Sequence, residues 1–330
     1  MRLLILGGTE FVGRALVRSA LARGWDVTVF NRGNRPAPQG VTALVGDRTA
    51  ADGLAALAAA PEGWDVVVDT WADAPVAVRD AARLLAGRAG RYAYVSSCSV
   101  YAWPAPPGSD ESAPPVEGAP DARDVPYAEA KRGGELAAVD AFGADRSLLV
   151  RAGLLLGPWE NIGRLPWWLA RIGRGGTVPA PGPADAPVQY VDVRDLAEWT
   201  LSAAQAGLSG PYNLVGPPGT ATFGDVLGEC VAATGSDAGL RWIAPERVLE
   251  AGIEPWTDLP LWVPPRQAPD MAGALYSLDV SKALAAGLEC RPLAETVADT
   301  WEWLETVGGE VRGKRGTGLS AEQEEVWRGL

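Results

Sequence analysis

Short apolar runs recur along the first two thirds of the chain, separated by helical or glycine-rich stretches. Runs of this length are typical of strands buried on both faces. They cover residues 3–6, 26–30, 42–45, 65–69, 92–98, 147–151 and 211–215. Amphipathic or alanine-rich segments predict helices over residues 14–24, 53–60, 76–85 and 195–206, and around Tyr127. The alternation predicts an α/β fold with a parallel sheet between two layers of helices.

From residue 217 onward, helical patterns dominate. We expect helices over residues 223–234, 245–251, 281–286 and 293–306. A glycine-rich, basic hinge over residues 308–318 follows, and Ser320 with Gln323 forms a capping-box pattern for a short tail helix. The later part of the chain is therefore predicted to be mostly helical, and the sequence contains no internal repeat.

A glycine-rich turn, Gly-Gly-Thr-Glu-Phe-Val-Gly at residues 7–13, joins the first strand to the first helix. Glycines let the backbone approach a ligand, and free N–H groups at a helix start hold an anion, so this turn predicts a pyrophosphate cradle. Asn31 and Arg32 follow the second strand, where the adenosine ribose of a dinucleotide lies. An arginine there suits a 2'-phosphate, which favours NADP over NAD. Asp47 ends the third strand and either bonds the adenine amine or caps the next helix.

Ligands of open parallel sheets bind at the carboxyl ends of the strands. Thr9, Arg32, Asp47, Trp71 and Ser97 are all predicted to lie there. We therefore expect residues 1–152, completed by about 188–216, to form a dinucleotide-binding domain. Residues 153–187 and 217–330 would then form a smaller substrate-binding part that ends in the tail helix.

Tyr127 and Lys131 are four residues apart, which places them on one face of a helix, about one turn from each other. A phenol has an ordinary pKa of about 10, and a fixed positive charge beside it lowers that pKa by favouring the phenolate. Tyr127 could then exchange a proton with a substrate hydroxyl or carbonyl. Such a pair is more often a plain exposed helix face, so the prediction depends on the glycine turn and on Ser96 and Ser97 upstream.

Residues 102–124 contain six prolines and five acidic residues, which excludes a long helix or strand there. Because this loop joins Ser97 to the helix of Tyr127, we expect it to form one wall of the active site, with a solvated insertion as the alternative. Most of the fourteen tryptophans should be core, but some near the loops are predicted to line an apolar or flat pocket.

Composition excludes several classes of protein. The chain of 330 residues has no histidine, so histidine-based triads, metal ligands and general bases are absent. A net charge of -12 disfavours nucleic acid as a partner. The three cysteines are far apart and indicate neither a metal site nor a disulfide framework. With no membrane-spanning run or signal sequence, we expect a cytoplasmic protein with no membrane partner.

The motifs GGTEFVG, YVSSCSVY, YAEAK, RAGLLLGP and YVDVRDLA occur in this order. Together they resemble the extended, or atypical, branch of the short-chain dehydrogenase/reductase superfamily, whose members are NAD-dependent epimerase/dehydratase-like proteins. The resemblance implies a Rossmann-type, doubly wound parallel sheet and a smaller, mostly helical C-terminal substrate-binding part. It also implies that the protein is an NAD(P)-dependent enzyme.

The resemblance assigns roles to individual positions. Ser97 would hydrogen-bond the substrate oxygen, Tyr127 would transfer the proton, and Lys131 would hold the nicotinamide ribose. The expected cofactor contacts are Gly7, Gly8, Thr9, Glu10, Phe11, Val12, Gly13, Asn31, Arg32, Asp47, Arg48, Thr70, Trp71, Ser96, Lys131, Ala152 and Leu154. The expected substrate pocket comprises Cys98, Ser99, Trp103, Trp159, Trp167, Trp168, Trp256 and Trp262.

Three departures from the family pattern narrow the range of reactions that we expect the protein to catalyse. Glu10 replaces the middle glycine of the turn and places a carboxylate near phosphate charge, unless it turns outward or pairs with a neighbour such as Arg14. Cys98 and Ser99 stand where sugar-nucleotide dehydratases carry an Asp-Glu pair. Leu154 and Val188 stand where sugar-nucleotide epimerases hold a diphosphate, and each lost charge-assisted bond is worth roughly 1.5 to 3 kcal/mol.

The leading hypothesis is an NADP-preferring oxidoreductase that reduces a carbonyl, or oxidises the matching alcohol, on a small, largely apolar or aromatic metabolite. One alternative is a redox-neutral epimerase of a sugar nucleotide. Another is a cofactor sensor or RNA-binding relative without chemistry. A homodimer, formed through the helix of Tyr127 and its neighbour, is a further hypothesis that a monomeric mass in light scattering would contradict.

Overall fold

Eleven strands occur in the computed structural model, which describes residues 1–61, 63–309 and 317–330. They are β1 (Arg2–Leu6), β2 (Asp26–Asn31), β3 (Thr42–Val45), β4 (Trp64–Asp69), β5 (Ala89–Ser97), β6 (Ser147–Ala152), β7 (Leu154–Leu156), β8 (Thr177–Pro181), β9 (Tyr190–Asp192), β10 (Gly210–Leu214) and β11 (Gly239–Ile243). Seven of them form one parallel sheet in the order β10-β6-β5-β4-β1-β2-β3.

Helices cover both faces of this sheet. The helices of the described residues are α1 (Phe11–Ala22), α2 (Ala55–Ala59), α3 (Pro75–Leu85), α4 (Tyr127–Phe142), α5 (Arg164–Ile172), α6 (Val193–Gln205), α7 (Phe223–Thr234), α8 (Pro245–Glu250), α9 (Pro269–Tyr276), α10 (Ser281–Ala285), α11 (Leu293–Thr306) and α12 (Ala321–Gly329). On β1, Leu3 and Ile5 pack towards α1 and α6, whereas Leu4 and Leu6 pack towards α3 and α4. The predicted fold class is therefore confirmed.

A separate hydrophobic core fills the C-terminal part. It gathers side chains from β7, β8, α5, α7, α8, α9, α11 and α12, with Trp168, Trp262 and Trp327 completely buried. The strand β10 joins the central sheet from within residues 188–216, beside β6. The exact division of the chain into domains stays a prediction.

Some elements differ from the sequence prediction. The helix α1 begins at Phe11, not at Arg14, and the apolar ring of Phe11 packs into the core under the sheet. The sequence pattern did not predict α5, α9 or the small parallel pairs β7–β9 and β8–β11. These strands have three to five residues each, and their partners lie far away along the chain. Short-range periodicity carries little information about such pairs.

The tail helix α12 is present, and its predicted capping box is confirmed. The Ser320 hydroxyl accepts a hydrogen bond from the Gln323 backbone, and the Gln323 side chain accepts one from the Ser320 backbone. Of the predicted hinge, residues 310–316 lie outside the described residues. In the described part of the chain, the helices are too short or too polar to cross a membrane.

Candidate active site

The glycine turn between β1 and α1 is as closely packed as a phosphate cradle requires. Gly7 and Gly8 have φ angles of 130° and 98°, a region that side chains rarely adopt. A Cβ at Gly13 would lie 2.4 Å from the Gly8 nitrogen, so only glycine fits there. Glu10 precedes α1 and makes no side-chain hydrogen bond to its first amides. Those N–H groups face the turn and fit a pyrophosphate.

The Glu10 carboxylate has partners other than the expected Arg14. Its Oε1 lies 3.2 Å from Nε of Arg35, and its Oε2 accepts a hydrogen bond of 3.0 Å from the Asn161 side chain. Arg14 instead stacks over the Trp159 ring, at 4.9 Å from its centroid. Glu10 therefore connects the glycine turn to the loop after β2 and to the loop before α5.

The end of β2 carries polar groups at the position predicted for the adenosine ribose. The Asn31 side chain accepts a hydrogen bond from the Gly33 backbone, and Arg32 is exposed. Asp47 accepts hydrogen bonds from the hydroxyl and the backbone of Thr49. These bonds, with a smaller effect of Arg32, hold the pKa of Asp47 below its ordinary value. Asp47 thus closes a turn at Thr49 and does not cap α2, which begins at Ala55 after Leu54.

Arg48 was expected to contact the cofactor, but the structure places it in a buried ion pair. Its two terminal nitrogens donate to the two Asp69 oxygens at 2.7 Å, and one also donates to the Ala77 carbonyl. Both side chains are almost completely buried. Because the side chain is buried and both terminal nitrogens are bound to Asp69 and Ala77, the expected cofactor role of Arg48 is corrected to a structural one.

The Asp69 carboxylate also accepts hydrogen bonds from Tyr92 and from the Trp71 backbone. Burial by itself raises the pKa of Asp69, but the Arg48 charge and these hydrogen bonds outweigh it and keep the pKa low. The neighbouring Thr70 hydroxyl donates to the Leu6 carbonyl. This network fixes the end of β4, where the Trp71 carbonyl becomes available to α4.

Tyr127 and Lys131 occupy the first turns of α4. Lys131 is only 3% exposed, and its Nζ donates hydrogen bonds of 2.7 Å to the carbonyls of Trp71 and Val95. This ammonium lies 6.0 Å from the Tyr127 ring centroid and 5.0 Å from that of Tyr94. The Tyr127 side chain remains 37% exposed. A fixed positive charge therefore lies beneath a phenol that a ligand can reach.

At the end of β5, the side chains of Ser96 and Ser97 point to opposite faces of the sheet. The Ser97 hydroxyl donates to the Ser99 hydroxyl and accepts from its backbone, both at 3.1 Å. Ser97 follows Val95, the carbonyl partner of Lys131, by two positions on the same strand. The catalytic roles of Ser97, Tyr127 and Lys131 stay a prediction. The Ser96 hydroxyl instead donates to Glu135, which removes it from the expected cofactor contacts.

Sequence reasoning missed the buried pair of Glu135 and Arg151. Arg151 on β6 donates to both Glu135 oxygens, at 2.8 and 3.0 Å, and Arg132 adds a third charged bond at 2.9 Å. Glu135 is completely buried one turn after Lys131. The sequence did contain an indication of this pair, because a charged residue inside the apolar strand Ser147–Ala152 needs a buried partner. The pair fixes α4 against the sheet.

The two expected pocket residues after β5 differ in environment. Ser99 is exposed beside Ser97, whereas the Cys98 sulfur donates to the Arg151 carbonyl. Burial raises the pKa of the Cys98 thiol to about 12, so Cys98 is not a nucleophile at neutral pH. The loop after them is held at Glu111, which accepts a hydrogen bond of 2.7 Å from the Asn213 backbone.

The tryptophans expected in the pocket fall into two groups. Trp168 and Trp262 are completely buried, and their indole N–H groups donate to the carbonyls of Pro260 and Gly182. They are core residues and offer no surface to a ligand, so their assignment to the pocket was wrong. The remaining four are partly or largely exposed: Trp103, Trp159, Trp167 and Trp256.

The remaining expected contacts differ in burial. Thr9 and Val12 are half-buried, while Ala152 and Leu154 are buried at the end of β6 and the start of β7. A cavity of about 230 Å³ opens beside Tyr127 and is lined also by Asp73, Arg123 and Asp124. A larger cavity of about 450 Å³ near Trp64 lies at the amino ends of the strands, away from these residues.

A parallel sheet with a glycine turn at one strand end and a phenol–ammonium pair at another defines a dinucleotide-binding enzyme fold. The chain belongs to the NAD dependent epimerase/dehydratase family, whose sequence profile matches residues 3–215. The resemblance to the extended short-chain dehydrogenases/reductases is thereby confirmed. The match supports an enzyme with a nicotinamide dinucleotide cofactor. A comparison with curated proteins found no match.

Solved structures share the fold over almost the whole chain. The UDP-glucose 4-epimerase of Thermus thermophilus, in complex with NAD, has a TM-score of 0.64 and 21% identity, covering 92% of this chain and 99% of its own. The epimerase Mth375 of Methanothermobacter thermautotrophicus has a TM-score of 0.67 and 16% identity, covering 99% and 94%. The UDP-glucuronic acid 4-epimerase of Bacillus cereus, with NAD, has a TM-score of 0.65 and 14% identity, covering 93% and 99%.

Proposed function

We propose that the protein is an NADP-preferring oxidoreductase that interconverts a carbonyl and an alcohol on a small, largely apolar or aromatic metabolite. The observation that carries the proposal is the buried Lys131 ammonium, 6.0 Å from the ring centroid of the accessible Tyr127. A charge held by two backbone carbonyls and positioned under a phenol stabilises the phenolate form. The protein contains no histidine that could do this work.

In the reducing direction, Tyr127 donates its proton to the carbonyl oxygen, and Lys131 stabilises the phenolate that remains. The Ser97 hydroxyl, now bonded to Ser99, turns to the same oxygen and orients it. The glycine turn and the first amides of α1 would hold the cofactor's pyrophosphate, and Arg32 its 2'-phosphate. When bound, the nicotinamide supplies or accepts the hydride. The reverse direction uses Tyr127 as the base.

The apolar surroundings of Leu154 and Val188 favour a substrate that carries no diphosphate. Both side chains are buried among apolar neighbours, at 6% and 1% exposure. A diphosphate at these positions would lose its hydrogen-bonding partners. Partly exposed indoles of the C-terminal part, such as Trp256, supply flat apolar surface there.

Turnover of an aromatic ketone or aldehyde panel with NADPH tests the proposal. We expect Tyr127→Phe to lose at least about a hundredfold in kcat, because general acid catalysis is worth roughly 10² to 10⁴. Tyr190→Phe, on β9 away from α4, is the matched control and should keep full activity. NADPH binding without any Tyr127-dependent turnover would contradict the proposal and favour a cofactor sensor.

A redox-neutral nucleotide-sugar epimerase is the second candidate, supported by the likeness to epimerases over more than nine tenths of the chain. It predicts that UDP-sugars bind and are interconverted without net consumption of cofactor. Chromatography of UDP-glucose incubated with the protein, together with calorimetry of UDP, distinguishes it from the leading proposal.

A further inference from the structure

Tyr94 of β5 is a completely buried aromatic residue beside the Lys131 ammonium. Nζ of Lys131 lies over its ring, 5.0 Å from the centroid. The face of an aromatic ring carries negative charge density and attracts a cation at this distance, most strongly where water is excluded. Lys131 is only 3% exposed, so the ring replaces part of the hydration that the ammonium loses on burial.

The Tyr94 hydroxyl acts on the same ammonium through the Trp71 carbonyl. It donates to this oxygen at 3.1 Å, and Nζ of Lys131 donates to the same oxygen at 2.7 Å. Burial raises the pKa of Tyr94 well above its ordinary value, so the hydroxyl keeps its proton and remains a donor. Tyr94 thus contacts the ammonium with its ring and fixes one of the carbonyls that bind it.

The Tyr94 ring is held tightly in this position. A Cβ at Gly134 of α4 would lie 2.4 Å from the ring, so helix and ring are in close contact. The next residue of β5, Val95, supplies the second carbonyl that binds Lys131, at 2.7 Å. Two consecutive residues of one strand therefore form part of the site that holds the ammonium.

The carboxylates near Tyr94 are bound by arginines. Besides burial, the groups that act on the pKa of Tyr94 are Asp69, Tyr127, Arg48 and Glu135. Asp69 accepts two bonds of 2.7 Å from Arg48, and Glu135 accepts bonds of 2.8 and 3.0 Å from Arg151. Because these carboxylates are engaged by arginines, the neutral ring and the carbonyls gain importance for stabilising the Lys131 charge.

We propose that Tyr94 is a positioning residue that keeps the Lys131 ammonium charged beneath Tyr127, mainly through the face of its ring. The inference rests on the proposed function, in which this charge stabilises the Tyr127 phenolate. It goes further, because proton transfer then depends on a residue with no surface open to a ligand. Burial of a lysine without stabilising partners favours its uncharged form.

The small number of lysines makes the charge of Lys131 measurable. The chain contains three, Lys131, Lys282 and Lys314. NMR of the full-length protein with isotope-labelled lysine therefore gives three signals, and their pH titration reports the charge of each ammonium. Lys131→Arg removes one signal and thereby assigns it. The measurement requires neither cofactor nor substrate.

Two variants of equal shape separate the ring face from packing. Tyr94→Phe keeps the face, whereas the fluorine atoms in Tyr94→trifluorophenylalanine withdraw its negative charge. We expect the fluorinated variant to have a pKa of Lys131 lower by about 0.5 to 1 than Tyr94→Phe. Tyr94→Phe loses only the hydroxyl bond to Trp71 and should lower this pKa by less than half as much. The two melting temperatures should agree.

Tyr212→trifluorophenylalanine is the matched control. The Tyr212 ring centroid lies 4.2 Å from Nζ of Lys282, whose side chain is exposed. Fluorination there should leave the Lys131 titration unchanged. The Lys282 signal, in turn, should not respond to either substitution of Tyr94.

The inference is overturned if the two Tyr94 variants give the same Lys131 titration. It is also overturned if Lys131 stays charged in both up to the highest pH at which the protein remains folded. Failure of the proposed function has a different signature, in which the Lys131 titration responds to fluorination but Tyr127-dependent turnover is absent.

Discussion

At the scale of single residues, burial changes the pKa of charged side chains in this protein. Glu160 is completely buried and accepts hydrogen bonds from the backbone of Arg164, at 2.7 Å, and of Leu165, at 3.1 Å. It thereby caps the start of α5. Burial nevertheless raises its pKa from 4.5 to about 7, and the Arg164 charge and the backbone bonds offset only part of this effect.

A raised pKa means that the ionised Glu160 carboxylate destabilises the folded protein. The destabilisation is absent below pH 4.5, grows as the pH rises, and is complete above about pH 7. We expect Glu160→Gln to gain stability relative to the unmodified protein between pH 5 and pH 8, by on the order of 3 kcal/mol. Urea unfolding at several pH values measures this difference.

Glu302→Gln, at an exposed position on α11, is the control and should show no such trend. If the stability difference for Glu160→Gln stays constant across this pH range, the carboxyl does not titrate as described.

At the scale of elements, α4 depends on close packing against β5. A Cβ at Gly134 would lie 2.4 Å from the ring and hydroxyl of Tyr94, so the glycine lets the helix approach the strand. The same Tyr94 ring lies 5.0 Å from the Lys131 ammonium. The helix position therefore determines where the charge beneath Tyr127 is held.

We expect Gly134→Ala to destabilise the protein by about 1–3 kcal/mol, since the added methyl group must displace Tyr94. Gly228→Ala is the matched variant, because Gly228 is an exposed position inside α7 with open space at its Cβ. That substitution should instead stabilise the protein by up to about 1 kcal/mol, because alanine has a higher helix propensity than glycine. Chemical denaturation of both variants compares them, and equal effects would refute this account of α4.

Elements with strong local patterns were predictable, and those with remote partners were not. The strand β1 and the tail helix α12 follow from an apolar run and a capping box. The pairs β7–β9 and β8–β11 form only because the C-terminal core brings short segments together. Their residues alone have too weak a preference to define a strand.

At the scale of the whole molecule, the end of the chain packs into the C-terminal core. Trp327 of α12 is completely buried there, Arg171 of α5 pairs with Glu324, and the Gln323 side chain donates to Asp258 at 2.7 Å. The helix is short and begins after residues 310–316, which lie outside the described residues. Trp327 is the one side chain of α12 that belongs to the fully buried core.

We expect Trp327→Ala to release α12 from this core, at a cost of about 3–5 kcal/mol of packing energy. Hydrogen exchange of the α12 amides should increase strongly, and the melting temperature should fall. Val326→Ala, at a 43% exposed position on the same helix, should change neither. Unchanged exchange in Trp327→Ala would show that other contacts hold the helix.

The amino-acid sequence by itself determined the parallel sheet, the glycine turn and the spacing of Tyr127 and Lys131, because each depends on residues close together in the chain. Only the tertiary structure decided which charges neutralise each other. Arg48 is engaged by Asp69, Arg151 by Glu135, and Glu10 by Arg35. It also decided which tryptophans are core. Both outcomes depend on residues that are far apart in the chain and that packing brings together. A local sequence pattern therefore cannot predict them.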